Sequence, residues 1–238
     1  MPRENVADWI RSRGGECGQL AGAQLRGAQL QSVNLKGANL SGADLSFANL
    51  HRAQLQGSEL SDAFFNYADL SSTNLAKVMA LRTEFNYSRL SNSNLRGATL
   101  NFATLVGVSM NEAMMNEVRA LRVNMVGADL QGAALSGSNF SHANLRYAQM
   151  ESALLDSVRL WEAQLVGAQL TGAVLSSANM SYARLMFAQL DGASLNQTIL
   201  TGAFYNDETS FSEGFDPEDR GMVRVSEEQG RELEAGIN

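Results

Sequence analysis

From Leu20 to Tyr205 every residue whose number is a multiple of five is large and apolar, except Ala80 and Ala120. Of these 38 anchors, 27 are Leu, five Met, three Phe and one Tyr. Two residues before each anchor, from 23 to 203, the residue is Ala in 24 of 37 cases and Val, Ser or Thr in the others. Neither regular element takes this spacing as an isolated unit. A helix repeats every 3.6 residues and a strand every two, so an anchor at every fifth residue would wander around a helix. The pattern is satisfied if each five-residue unit is one short side of a coil, bent at a corner. The anchor then points inward with the small residue beside it, because a narrow interior holds one large side chain per side but not two. Glycine two residues after the anchor, as at Gly22 and Gly127, suits a corner with a special backbone angle. Such repetition is the signature of a stacked solenoid.

A second period lies over the first. Residues 141–150 match 181–190, and 78–82 are answered by 118–122, in both cases 40 residues apart. Eight fives therefore return the chain to an equivalent place. Two coils of four sides fit this, as do other even divisions.

The repeats run as Ala38-Asn39-Leu40, Ala43-Asp44-Leu45, Ala68-Asp69-Leu70, Ala128-Asp129-Leu130 and Ala143-Asn144-Leu145. In these units the chain resembles the pentapeptide repeat proteins over roughly three quarters of its length. The resemblance implies an all-β fold, a right-handed quadrilateral parallel β-helix of four-sided coils. The Leu-centred units, and the ending from Tyr205 to Pro217, are more similar to cyanobacterial members than to the Phe- and Cys-rich quinolone-resistance members. Fold resemblance alone carries no function.

The unbroken register argues for one domain in three parts: a helical N-terminal cap over 1–16, the repeat solenoid over 17–205, and a C-terminal cap with an acidic, loosely ordered tail over 206–238. In the cap, Val6, Trp9 and Ile10 fall at helical spacing before Gly14 and Gly15. An apolar helix face there would cover the open edges of the first coil. A membrane-surface helix is the alternative, supported by Arg3, Arg11 and Arg13. Phe204, Tyr205, Phe211 and Phe215 are expected to fold over the last coil, and the polar stretch from 217 to be loosely ordered or partly helical. No apolar run approaches the ~20 residues of a transmembrane helix, and the single cysteine, Cys17, permits no internal disulfide. The cytoplasm is the expected compartment.

The net charge of −7 belongs to the tail. Residues 206–238 carry ten acidic and three basic side chains, whereas 1–205 carry fifteen of each. A neutral body is a poor platform for nucleic acid, whose binding rests on phosphate neutralisation, and a poor mimic of DNA. Residues suited to catalysis are few. His51 and His142 are the only histidines, without Cys or carboxylate neighbours at metal-ligand spacing. Cys17 has no activating partner, and Asp62 and Glu162, on the same expected side as His142, are explained as surface charges. No catalytic residue, metal or cofactor is expected. The expected function is a non-enzymatic protein–protein interaction or regulatory scaffold acting on a protein partner, as a monomer or homodimer. DNA-mimic inhibition of a type II topoisomerase, and a structural or self-assembly role, are the alternatives.

With 20 residues per coil, positions 20 apart stack in columns about 5 Å apart. One column then holds Phe47, Tyr67, Tyr87, Tyr147 and Phe187; the next side carries Phe102 and Tyr182, with Trp161 beside them. The candidate interaction face is Phe102, Tyr147, Trp161, Tyr182 and Phe187, because exposed Trp and Tyr are common interface anchors. The competing reading is structural, since stacked rings stabilise one another. The other two sides are dominated by Gly, Ser, Asn and charged residues. Two further expectations concern the frame. Leu81 and Leu121 either swing inward to replace Ala80 and Ala120 or stay outside, and Asn34, Asn74, Asn94, Asn124 and Asn144 form side-chain ladders between coils.

Overall fold

A computed structural model describes Ile10, residues 18–226 and residues 228–230. Throughout the repeats the unit is a β-turn followed by a single bridge residue. The turn closes when Ala23 N–H donates to Leu20 C=O (3.0 Å), and its third residue takes a left-handed backbone, φ 65° at Gly22. These are the features of a type II turn, which needs φ > 0 at that position. The same position is left-handed in every unit from 22 to 202, whether Gly or, as at Arg52, Asp62 and Tyr147, a larger residue.

The bridge residue sits four after the anchor and pairs, in parallel, with the residue 20 later, from Gln19–Asn39 through Arg184–Phe204. The spacing of 20 selects four-sided coils from the divisions left open by periodicity. The sides are named here by their bridge columns: first, Gln24 to Phe204; second, Gln29 to Gln189; third, Asn34 to Ser194; fourth, Gln19 to Ile199. First and third are opposite sides, as are second and fourth.

Each unit of five offers five N–H groups, and four are served by the backbone. Leu40 N–H donates to Glu59 C=O (2.7 Å), Gly42 N–H to Ser61 C=O (2.9 Å), Ala43 N–H to Leu40 C=O (3.0 Å) and Asp44 N–H to Ala23 C=O (2.9 Å). The fifth, just after the anchor, is served by a side chain. Ser41 N–H donates to Asn39 Oδ1 (3.1 Å), Ser46 N–H to Asp44 Oδ1 (2.9 Å), and Ser141 N–H to Asn139 Oδ1 (3.0 Å). The Asn or Asp before the anchor is therefore an Asx cap for a donor that the coils leave over. This corrects the ladder expectation: Asn34, Asn74, Asn94, Asn124 and Asn144 all accept from the N–H two residues on, at 3.1–3.4 Å. A coil-to-coil bond accompanies this only at Asn74, which donates weakly to Gln54 Oε1 (3.4 Å), among the described residues. At four of the described units without an Asx before the anchor a polar side chain one coil back substitutes, as when Val106 N–H donates to Asn86 Oδ1 (3.0 Å), and Ser61 N–H is met by Glu59 Oε1 (2.9 Å).

All anchors are buried, and the small residues beside them are buried from Val33 to Ala188. Leu81 and Leu121 do not swing inward. Both stay in the turn, half-buried, with their N–H groups held by Ser61 Oγ and Asn101 Oδ1. The missing volume is supplied by the flanking inward positions. Val78 and Thr83 bracket Ala80, and Val118 and Val123 bracket Ala120, where Ala is the usual residue; all are at most 1 % exposed. A core conserves volume more strictly than the identity of each position.

The C-terminal end closes differently from the middle. Four two-residue strands form there: β1 (Gln189–Leu190) pairs with β3 (Ser210–Phe211), and β2 (Phe204–Tyr205) with β4 (Val223–Arg224), both in parallel. Phe211 stacks on Phe215 with centroids 4.8 Å apart and meets Tyr205 edge-on at 5.9 Å. Met222 is buried in the core, and Arg220 donates to the carbonyls of Leu195 (3.3 Å) and Thr198 (2.9 Å). Residues 217–226 are thus tied to the last coil rather than loosely ordered, because Met222 supplies an apolar plug and β4 covers the open edge of β2. Of residues 1–16 only Ile10 is described; it is helical and fully buried against the core. The remainder of that cap, Cys17 and residues 231–238 lie outside the described residues.

Candidate interaction face

The corner aromatics owe their posture to the turn. Tyr87, Phe102, Tyr147, Tyr182 and Phe187 all take φ 57–62°, and the three tyrosine rings lie along the stack. Each tyrosine covers a glycine of the following coil. A Cβ on Gly107 would stand 2.8 Å from the Tyr87 ring, one on Gly167 2.7 Å from Tyr147, and one on Gly202 2.6 Å from Tyr182. One side of the ring is packed and the other is open, which is why Tyr147 and Tyr182 are half exposed, at 51 %; Phe102 is 49 % exposed. Earlier in the chain the corner is filled continuously: Phe47 stacks on Tyr67 (5.0 Å) and Tyr67 on Tyr87 (5.3 Å), with Arg26 over Phe47 at 4.6 Å.

Phe102, Trp161 and Tyr182 stand at the corner before the first side, and Tyr147 and Phe187 at the corner after it. The first side therefore carries all five sequence-derived candidates on its two edges. They are not one contiguous patch. Phe102 and Tyr182 are four coils apart, and Tyr147 and Phe187 are two coils apart with Gly167 between them. Phe187 is partly covered, and its neighbours Val166 and Met186 are buried, so the apolar surface at that edge is smaller than composition suggests.

The centre of gravity is Trp161, 38 % exposed. The His142 ring meets it edge-on at 4.6 Å, and His142 Nδ1 lies 3.2 Å from Glu162. Across the same side, Arg146 lies over Tyr147 at 5.8 Å. Burial lowers the Arg184 guanidinium from its usual value, with Glu162 opposing and Arg146 adding to the effect. Between 101 and 197 this side and its corners hold Arg122, Arg146 and Arg184 against Glu162 alone. Asp62 belongs to the same corner five coils before Glu162 and is spent on a two-point pair with Arg82, both bonds 2.7 Å.

The other histidine makes a small polar chain on another corner. His51 Nδ1 lies 2.8 Å from Ser71 Oγ, which donates to Asp69 Oδ1 (2.5 Å). The hydroxyl stands between ring and carboxylate, so the acid orients the serine and not the histidine, the reverse of a nucleophile-activating triad. Burial acts to raise the Asp69 carboxyl, but bonds from the Ser71 hydroxyl and N–H, with Arg89 and His51 nearby, outweigh it and leave it below the ordinary value. Among the described residues no cluster of three His, Cys, Asp or Glu could hold a metal ion, and no helix is long and apolar enough to cross a membrane.

Sequence reasoning passed over the third side. Its bridge column runs Met114, Ala134, Leu154 and Val174 in four successive coils, with Met114 38 % and Leu154 45 % exposed. The polar composition expected of that side holds at its corners and fails along its centre. Counting by 20 from Met114 was the signal that would have found it.

The family model for pentapeptide repeats matches in eight copies, over residues 23–62, 48–79, 82–111, 124–161 and 153–186. Among solved structures, HetL, a pentapeptide repeat protein involved in heterocyst differentiation regulation from the cyanobacterium Nostoc sp. strain PCC 7120, is 28 % identical. That match covers 89 % of this chain and 98 % of HetL, with a TM-score of 0.45. The plasmid-mediated fluoroquinolone resistance protein QnrB1, in its full-length structure, is 17 % identical over 76 % of this chain and 91 % of its own, with a TM-score of 0.39. The Nostoc pentapeptide repeat protein alr5209 is 30 % identical over 49 % of this chain and 84 % of its own, with a TM-score of 0.19. No curated protein matches the chain.

Proposed function

Because the chain belongs to the pentapeptide repeat family, we propose that it is a non-enzymatic interaction scaffold: a right-handed quadrilateral parallel β-helix presenting a rigid surface to a regulatory protein partner. The observation that carries this reading is the first side, where Phe102, Tyr147, Trp161 and Tyr182 stand 38–51 % exposed on a backbone hydrogen-bonded coil to coil. Such a frame loses little conformational entropy when it binds, so exposed aromatic area converts efficiently into affinity. Three arginines against one glutamate on that side favour a partner patch that is apolar with an acidic rim. The reading assigns no cofactor and no nucleic-acid partner, a monomer or homodimer, and the cytoplasm as compartment.

The test is a Trp161→Ser/Tyr182→Ser variant. It should keep the circular dichroism spectrum of the parent and lose its partner in a pull-down from the native host, or its dimer in light scattering. A folded variant that retains every interaction removes the proposal. A second reading, DNA mimicry against a type II topoisomerase, draws on the acidic third side: Glu112, Glu117, Glu151, Asp156 and Asp191 without a basic residue between them from 111 to 197. Five charges over about four coil steps of ~4.8 Å give roughly one per 4 Å, against one per ~1.7 Å in duplex DNA. The density is less than half of what a mimic needs. Absence of inhibition in a gyrase supercoiling assay would dispose of that reading.

A further inference from the structure

The body of the rod has no net charge, yet from 101 to 197 its charge is divided across the short axis. Basic residues gather on the first side, and five of seven carboxylates gather on the opposite, third side and its corners. Glu112, Glu151 and Asp191 line one corner, Glu117 and Asp156 the other, and Met114, Ala134, Leu154 and Val174 run between them. Among the described residues none of the five carboxylates is paired with a base. Hydroxyls donate to two of them: Ser136 Oγ to Asp156 Oδ2 (3.5 Å) and Ser210 Oγ to Asp191 Oδ2. One oxygen of Glu151 is enclosed with no hydrogen-bond partner.

The corners beside the strip are low. Gly132, Ser152 and Gly172 flank it on one edge, and Gly137, Ser157 and Ser177 on the other. The Glu112 stem lies along the turn of Gly132. A partner can therefore reach the apolar column without displacing bulky side chains. The backbone beneath the strip is already bonded to the coils on either side, so an added strand finds no edge to pair with. A helix needs no such edge. Its turns repeat every 5.4 Å and the coils every ~4.8 Å, so over three steps the mismatch is about 2 Å, within the reach of side-chain rotamers.

We infer that the third side is a second docking surface, for an amphipathic helix whose apolar stripe is bordered on both edges by Lys or Arg. Charge complementarity selects this occupant over a second copy of the chain facing it symmetrically, since that arrangement would set like-charged corners against each other. With the first side engaged elsewhere, the rod would join two partners of opposite charge on opposite sides. The two surfaces share no residue, so each can fail alone.

The test uses the full chain and a fluorescein-labelled 18-residue peptide with Leu at i, i+4, i+7 and i+11 and Lys bordering that stripe, followed by fluorescence anisotropy. A matched peptide with Glu for Lys is the control. The parent should bind the Lys peptide, weaken by at least about tenfold in 0.5 M salt, and leave the Glu peptide free. Met114→Ser/Leu154→Ser, two exposed positions whose change leaves the core intact, should weaken the Lys peptide by about tenfold or more, while Trp161→Ser/Tyr182→Ser binds it as the parent does. Three results would each overturn the inference. They are no binding of the Lys peptide, equal binding by the Met114/Leu154 variant (attraction to the acidic tail alone), and a dimer in light scattering that this variant dissolves, which would make a second copy the occupant.

Discussion

Whether the corner tyrosines belong to the frame or only to the surface can be decided by two glycines. Gly127 and Gly167 occupy equivalent corner positions on one column, with φ of 64° and 66°. Replacing either with Ala forces an L side chain into the left-handed region, at about 1–2 kcal/mol. There the resemblance ends. A Cβ on Gly127 meets nothing within 4 Å, whereas on Gly167 it meets the Tyr147 ring at 2.7 Å. The ring must lift. Tyr147 is 51 % exposed, so the covered half amounts to roughly 100 Å², and at ~25 cal/mol per Å² its uncovering adds up to about 2.5 kcal/mol. Gly167→Ala should therefore be about 1–2.5 kcal/mol worse than Gly127→Ala, or about 2–10 °C lower in melting temperature for a chain of this size. Thermal unfolding followed by circular dichroism reads the difference. In a Tyr147→Ser background the two alanine variants should converge, which closes the double-mutant cycle. Melting temperatures for the two single variants within about 1 °C of each other would show that the ring does not rest on the following coil.

Four other perturbations test the frame. Leu135→Ala should cost about 2–5 kcal/mol in urea denaturation, and Leu135→Asp should leave no cooperative transition, because the side chain is 1 % exposed in an apolar column. Asn139→Ala strips the cap from the Ser141 N–H and hydroxyl, and should cost about 1–3 kcal/mol by the same measurement. Truncation after Asp216 removes Met222 and β4, so the melting temperature should fall by several degrees; an unchanged value would mean that the terminal segment adds nothing to the last coil. Asp69 has its folded pKa lowered, so its contribution to stability is present above the ordinary carboxylate value near 4 and is lost as pH falls through the folded pKa. Asp69→Asn should flatten the fall in melting temperature over that acid range, and an unaltered slope would count against the Ser71 contacts.

The coils were legible because burial acts on every fifth residue identically. An anchor that must be apolar, with a small neighbour and a left-handed corner, leaves its mark in nearly every unit from 20 to 205. What depends on pairs of residues was harder to read. Asn94 and Asn144 look like members of a ladder until the backbone donors are counted and one N–H per unit is found in need of an acceptor. Ala80 looks like a defect until Val78 and Thr83 are counted with it, since volume is conserved across positions rather than at one. Residues 217–226 look disordered by composition, yet one buried methionine and one strand pair suffice to fix them. At the candidate face, the choice of side followed from counting by 20. The spread of its five residues did not, because distance along the stack is invisible in a list of aromatic positions.

The pairing of each bridge residue with the one 20 later has a consequence for how such a chain can change. Exchanging an outward side chain acts locally, on its own turn and the coils beside it, and leaves the register unchanged. Adding or removing a single residue is a different kind of event: every anchor beyond it would move to a new angular position, and four columns of bonds would lose their partners together. Variation in length is therefore confined to whole coils or to the ends. Two surfaces set on opposite sides keep that relation however many coils are inserted between them and the caps, so the distance from an end is adjustable while the angle between the surfaces is not.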